Sequence, residues 1–141
     1  MTRRAIPFAA LVVLFASSAP ARADDLTGAY HLLCSTGKIT LCYETGTCEA
    51  GDAEELNVPQ FIDIDLQQKR LSTTRASGMN RSTTADTMKR VDGAIVLQGF
   101  EKGRAYSFVI DEKSGGITIA VASTSRGVTA FGWCTPLPAT R

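Results

Sequence analysis

Residues 92–134 read DGAIVLQGFEKGRAYSFVIDEKSGGITIAVASTSRGVTAFGWC, and this stretch decides the fold. Asp92-Gly93, Lys102-Gly103, Lys113 to Gly116 and Ser125 to Gly127 punctuate it as turns. Between them lie Ala94 to Phe100, Arg104 to Ile110, Ile117 to Ala122 and Val128 to Cys134. In the last three of these, apolar side chains recur at every second position. Tyr106, Phe108 and Ile110 share one phase, as do Ile117, Ile119 and Val121. A period of two places alternate side chains on opposite faces of a strand. Asp-Gly between such runs marks a hairpin. Short connections make sequential strands antiparallel neighbours, so the stretch predicts a meander.

The same pattern extends upstream. In Phe61 to Leu66 (FIDIDL), Ile62, Ile64 and Leu66 alternate with Asp63 and Asp65, as in a strand wetted on one face. Gln67-Gln68 turns it into a strand over Arg70 to Thr74. Thr73 to Thr87 is polar and reads as a long loop or an edge strand. Near the start, Tyr30 to Leu33 is a short strand turned by Ser35-Thr36-Gly37, and Ile39 to Tyr43 is the next. Glu44 to Leu56 is a turn-rich acidic loop with room for one helical turn at Ala53 to Leu56. Pro136 and Pro138 are expected to stop the last strand. The fold class is therefore all-β, an antiparallel meander of seven or eight strands. A meander leaves two bare edges unless it closes. A closed up-and-down barrel is expected, with a two-sheet β-sandwich as the alternative.

Met1 to Ala23 has the form of a secretory signal peptide. Arg3 and Arg4 precede the apolar run Ile6 to Ala16, and Ala21-Arg22-Ala23 forms an A-x-A cleavage site. That run is shorter than the roughly 20 residues a membrane span needs. Residues 24–141 then form a single domain, periplasmic or secreted. Of 15 basic residues against 14 acidic, Arg3, Arg4 and Arg22 leave with the leader, so the net charge falls from +1 to −2. This balance excludes a nucleic-acid binder that works by phosphate neutralisation. A hydrophobic fraction of 44% excludes a disordered chain.

Cys34, Cys42, Cys48 and Cys134 are even in number, which in an exported domain reads as two disulfides. Four cysteines allow three connectivities. Strand phase favours Cys34–Cys134, each on a core face with Tyr30 and Leu32 or with Val128 and Ala130. Cys42–Cys48 then closes the acidic loop. The spacings match no common zinc pattern.

No catalytic constellation is visible, and the chain is read as non-enzymatic, with no cofactor and no metal. His31 is the only His and reads as a packed or hydrogen-bonded strand residue rather than a base. Asp63 and Asp65 could serve acid–base chemistry or bind Ca²⁺, but their phase puts them on a solvated face. Met79 and Met88 could mark a soft binding surface. Charge is uneven: Glu44 to Asp65 holds seven acids and no base, whereas Lys69 to Arg90 holds six bases and one acid. Solvated loops explain this, as would a basic patch for an anionic partner.

Three resemblances follow. Leu26-Thr27-Gly28-Ala29-Tyr30 resembles the L-x-G-x-W start of lipocalin-like (calycin) barrels, with Tyr30 for the usual Trp. That resemblance implies a barrel whose base aromatic is packed by an Arg, for which Arg126 is the nearest candidate. The segments Tyr106 to Asp111, Ser114 to Gly116 and Gly132 to Cys134 resemble small periplasmic all-β proteins of alphaproteobacteria, mostly of unassigned function. Ala76-Ser77-Gly78-Met79-Asn80-Arg81 resembles the S-G-x-x loop of periplasmic inhibitors of C-type lysozyme. There the Ser blocks the enzyme's carboxylates, which makes Ser77, Gly78 and Arg81 a candidate partner loop. The expected function is a small binding module for a small apolar ligand or an envelope component. The alternative is a protein inhibitor of a lysozyme-like hydrolase.

Overall fold

In the computed structural model, which describes residues 24–77 and 80–138, the alternating segments form ten strands. They are β1 (His31–Tyr43), β2 (Cys48–Gly51), β3 (Phe61–Asp65), β4 (Arg70–Thr73), β5 (Ser82–Thr84), β6 (Thr87–Val91), β7 (Ala94–Glu101), β8 (Arg104–Asp111), β9 (Gly116–Ala122) and β10 (Arg126–Pro136). Every pairing is antiparallel. The expected leader, residues 1–23, lies outside the described residues.

The ladder runs β5-β4-β3-β1-β10-β9-β8-β7-β6, with β2 added beside β1. Its two end strands, β5 and β6, are consecutive in sequence and separated only by Ala85 and Asp86. The meander thus curls into a barrel-like shell whose bare ends are joined by the chain itself. Buried Ala85 donates its N–H to Lys69 O, Asp86 Oδ2 accepts from Phe100 N, and the Tyr106 hydroxyl reaches Thr84 O at 3.2 Å. These bonds hold the corner against both flanking strands.

Three sequence expectations need correction. Ser35-Thr36-Gly37 is no turn. The chain runs straight through it, and a β-bulge between Thr36 and Ile39 fuses the two expected strands into the 13-residue β1. The bulge moves the buried positions from Leu32, Cys34 and Thr36 to Ile39 and Leu41, a change of phase that looks like a break in the sequence. The acidic loop contains β2, the polar stretch contains β5 as the expected edge strand, and β6 follows it, so there are ten strands rather than seven or eight. Ser125 to Gly127 is not the turn either, since Arg126 and Gly127 already pair with Tyr43 and Cys42 inside β10, which ends, as expected, at Pro136 opposite Leu32. Leu137 N donates to His31 O, so the Pro136 position needs no N–H toward β1. The helical turn does form near its expected place, with Leu56 N bonded to Asp52 O and Val58 N to Ala53 O.

Both expected disulfides are present. Cys34–Cys134 and Cys42–Cys48 link residues directly opposite in register, with Cα atoms 3.9 and 4.1 Å apart. Cys134 N donates to Gly115 O on the β9 side. The Cys34–Cys134 pair is therefore a non-hydrogen-bonded one, where facing side chains come closest. Beside it Gly132 is indispensable, because a Cβ there would lie 1.8 Å from Ser35 O.

The inward phases fill the shell with one apolar cluster, including Leu32, Ile64, Ile95, Leu97 and Ile110, each fully buried. Leu26 plugs the base and donates its N–H to Glu112 O. Arg90 braces this plug through Ala29 O and Glu112 Oε1. Tyr30 is 60% exposed and does not share the core face with Leu32 and Cys34, because it precedes the strand where the alternation starts.

The shell is uneven in height. β3, β4 and β5 are three to five residues long and stop level with the middle of β1. Beyond that level the wall comprises β7 to β10, the end of β1, and β2. Segment 52–60 closes the short side with Ala53, Leu56 and Val58 against the core.

Candidate functional site

This unevenness leaves the base sealed and the other end open. At the open end, the hairpin turns after β1, β7 and β9 surround a cleft of about 760 Å³. Its lining is Tyr43, Glu44, Thr45, Thr47, Glu49, Lys102, Gly103, Arg104, Ser123, Thr124, Ser125 and Arg126.

Strand phase explains why these side chains converge. Arg104 is in phase with Tyr106, Phe108 and Ile110, and Arg126 with Val128 and Ala130. Both arginines occupy the last inward position of their strands, where the apolar core gives way to solvent. Tyr43 continues the phase of Ile39 and Leu41 and pairs in register with Arg126. Glu49 on β2 opposes Leu41. Ser123 stands between the two arginine strands, its hydroxyl donating to Arg126 O at 3.1 Å. The turns are tightly built. Lys102 and Gly103 both have positive φ, as a two-residue hairpin requires. Gly46, at φ 85°, completes the three-residue turn in which Tyr43 N bonds to Thr47 O.

The cleft is dipolar. Lys102, Arg104 and Arg126 provide positive charge, and Glu44 and Glu49 negative charge. Ion pairs among the described residues lie elsewhere: His31–Asp63, Lys38–Asp52, Arg70–Asp65 and Arg90–Glu112. The Lys38 ammonium, for example, is held protonated above its ordinary range by its hydrogen bond and charge contact with Asp52.

Of the side chains singled out in the sequence as candidates, Arg126 alone lines this cleft, and the others lie apart from it. Ser77 ends a short 3-10 turn (Arg75–Ser77), where its hydroxyl accepts from Phe61 N at 2.8 Å and donates to Phe61 O at 3.0 Å. It anchors the loop to β3. Arg81 is exposed, and Gly78 and Met79 lie outside the described residues. Met88 packs against the core. Arg126 stands at the far end of β10 from Tyr30 and does not pack on it; Arg90 is the cation that reaches the base. Nor are Asp63 and Asp65 free in water. Asp63 Oδ1 lies 2.7 Å from His31 Nε2, and Asp65 Oδ1 accepts from Gln67 N and Gln68 N. These carboxylates fix a cross-strand pair and a turn. Among the described residues no group of three or more His, Cys, Asp and Glu could hold a metal ion.

Arg104, Tyr43 and Glu49 escaped the sequence reading, and Arg126 was assigned there to the base rather than to this end. The available signal was an arginine in inward phase at a strand end, next to a turn. The basic run pointed instead to residues 69–90, which contribute nothing to the lining, whereas the acidic run supplies Glu44 and Glu49. A second surface is apolar: Phe131 and Trp133 project from the outer face of β10, 52% and 63% exposed. Scanned against protein-family models the chain matches none, and no curated protein matches it.

Proposed function

We propose that this chain is an exported, non-enzymatic binding module that holds an envelope component in the cleft at the open end of its shell. The observation that carries this reading is the cleft itself: converging polar side chains whose charges are not neutralised by neighbours. The shell interior is occupied by the protein's own apolar side chains, which favours a ligand at the mouth. Two disulfides suit a compartment outside the reducing cytoplasm, as does the leader-like start of the sequence. Among the described residues no helix is long and apolar enough to cross a membrane. The four cysteines are paired in disulfides, and His31 and Asp63 lie apart from the cleft.

The test is native mass spectrometry of the unreduced protein isolated from the periplasm. An adduct that is retained by the parent chain and lost in Tyr43→Ala supports the reading. A bare protein, with no change in its cleft resonances when envelope extract is added, overturns it.

A further inference from the structure

We infer that the cleft takes a short peptide with a free carboxylate and a free ammonium group, the first against Arg126 and Arg104, the second toward Glu49 and Glu44. This rests on the reading of the cleft as a binding site and adds the class of ligand.

The inference comes from how charge is distributed across the wall. Arg104, Ser123 and Arg126 form one cross-strand row on β8, the β9 end and β10, and Tyr43 on β1 continues it. On β2, Glu49 stands opposite Leu41, two residues deeper than this row. With strands about 4.8 Å apart, the two arginine backbones lie roughly 10 Å from each other. Arg126 and Glu49 are separated by two strand spacings and by two residues along the strand, about 12 Å at the backbone. A simple anion would meet the carboxylates on the β1–β2 side, and a simple cation would meet Lys102 and the arginines. A ligand bearing both charges satisfies both walls, and fixed opposite charges at its ends set its direction. An extended peptide covers about 3.3–3.6 Å per residue, so three or four residues bridge the gap. The guanidinium presents a planar fork of donors suited to a terminal carboxylate. Hydroxyls on the turns can bond the intervening amides, and Tyr43, 37% exposed, supplies an aromatic wall.

The experiment uses the full oxidised domain and tetra-alanine in four forms: free, N-acetylated, C-amidated and doubly blocked. Binding is followed by amide chemical shifts and by titration calorimetry. The free peptide is expected to move the resonances of Tyr43, Ser123 and Arg126. Each block should weaken binding about tenfold or more. Arg126→Gln should weaken the free peptide to the same degree, yet leave the C-amidated form unchanged. Added salt should weaken the free peptide most. An unaltered melting temperature and spectrum for Arg126→Gln exclude misfolding as the cause. Equal binding of all four peptides overturns the inference. So does a shift of the same resonances by an oligogalacturonide but by no peptide, an outcome that leaves the cleft-binding reading standing. No shift with any probe, together with no adduct in native mass spectrometry, overturns both.

Discussion

Single side chains in this molecule spend their polarity on fixing turns. Asp111 is the clearest example. Its Oδ1 accepts from the Ser114 hydroxyl and from Ser114 N, both at 2.7 Å, and these bonds hold its carboxyl below the ordinary range. A carboxyl whose pKa is lower in the folded than in the unfolded chain adds stability above the unfolded pKa, and that stability disappears as pH falls through the folded one. Asp111→Ala should therefore melt below the parent near neutral pH, and the gap should close as the solution is acidified through the carboxylate range. Thermal melts across that range provide the measurement; a gap that stays constant would show that the lost bonds act without the charge. Asp25 repeats the arrangement, its carboxyl lowered by bonds from Thr27. The turn at Lys113 to Gly116 was legible from its Ser and glycines, but nothing in the pattern singled out Asp111 or Asp25 as the carboxylates that fix the turns. Arg104 and Arg126 were harder to find, because an isolated arginine at a strand end looks like any solvated residue until neighbouring strands align it with others.

At the scale of the element, regularity decided what could be read in advance. β7 to β10 keep one phase from end to end and are separated by short turns, the first two with glycine, so their boundaries emerged within two residues of where they stand. β1 changes phase at its bulge, and a pattern reader splits it in two. β5 and β6 are short and carry Ser, Thr, Lys and Arg on largely exposed faces, so no apolar alternation announces them. The bulge can be tested through the same logic. Deleting Gly37 removes the extra residue, so Thr36 stays opposite Gly132 and Ile39 opposite Ala130, and both apolar sets still face inward. A slip of one residue turns an apolar set outward, and deleting Leu33 imposes one, because Cys34 is tied to Cys134 and Leu32 must then leave the core face. In urea the Gly37 deletion should keep a single cooperative transition, whereas the Leu33 deletion should unfold at a markedly lower midpoint.

For the whole molecule, the joining of first and last long strands dominates. Cys34–Cys134 closes a loop with a sequence separation of 100, and Cys42–Cys48 one of 6. Loop entropy makes the long bond worth about 4–5 kcal/mol and the short one about 2 kcal/mol. Replacing both Cys34 and Cys134 by Ala should therefore lower the unfolding free energy by roughly twice as much as replacing Cys42 and Cys48. Equal losses in denaturant titrations would point to native-state packing rather than chain entropy. The barrel-like class and this pairing were legible because a meander with cysteines in its outermost strands leaves few other ways to cover its edges. The height of the wall was not, since it depends on where β3, β4 and β5 stop. The closure at the base has a further consequence. Asp24 hydrogen-bonds Thr135, so the start and finish of the described chain meet at the same corner. A linker of about four to six residues could join them. The order of strands along the polypeptide then becomes a matter of where the backbone is cut. A circularly permuted chain opened at Asp92-Gly93 would retain every strand pairing and leave the mouth untouched.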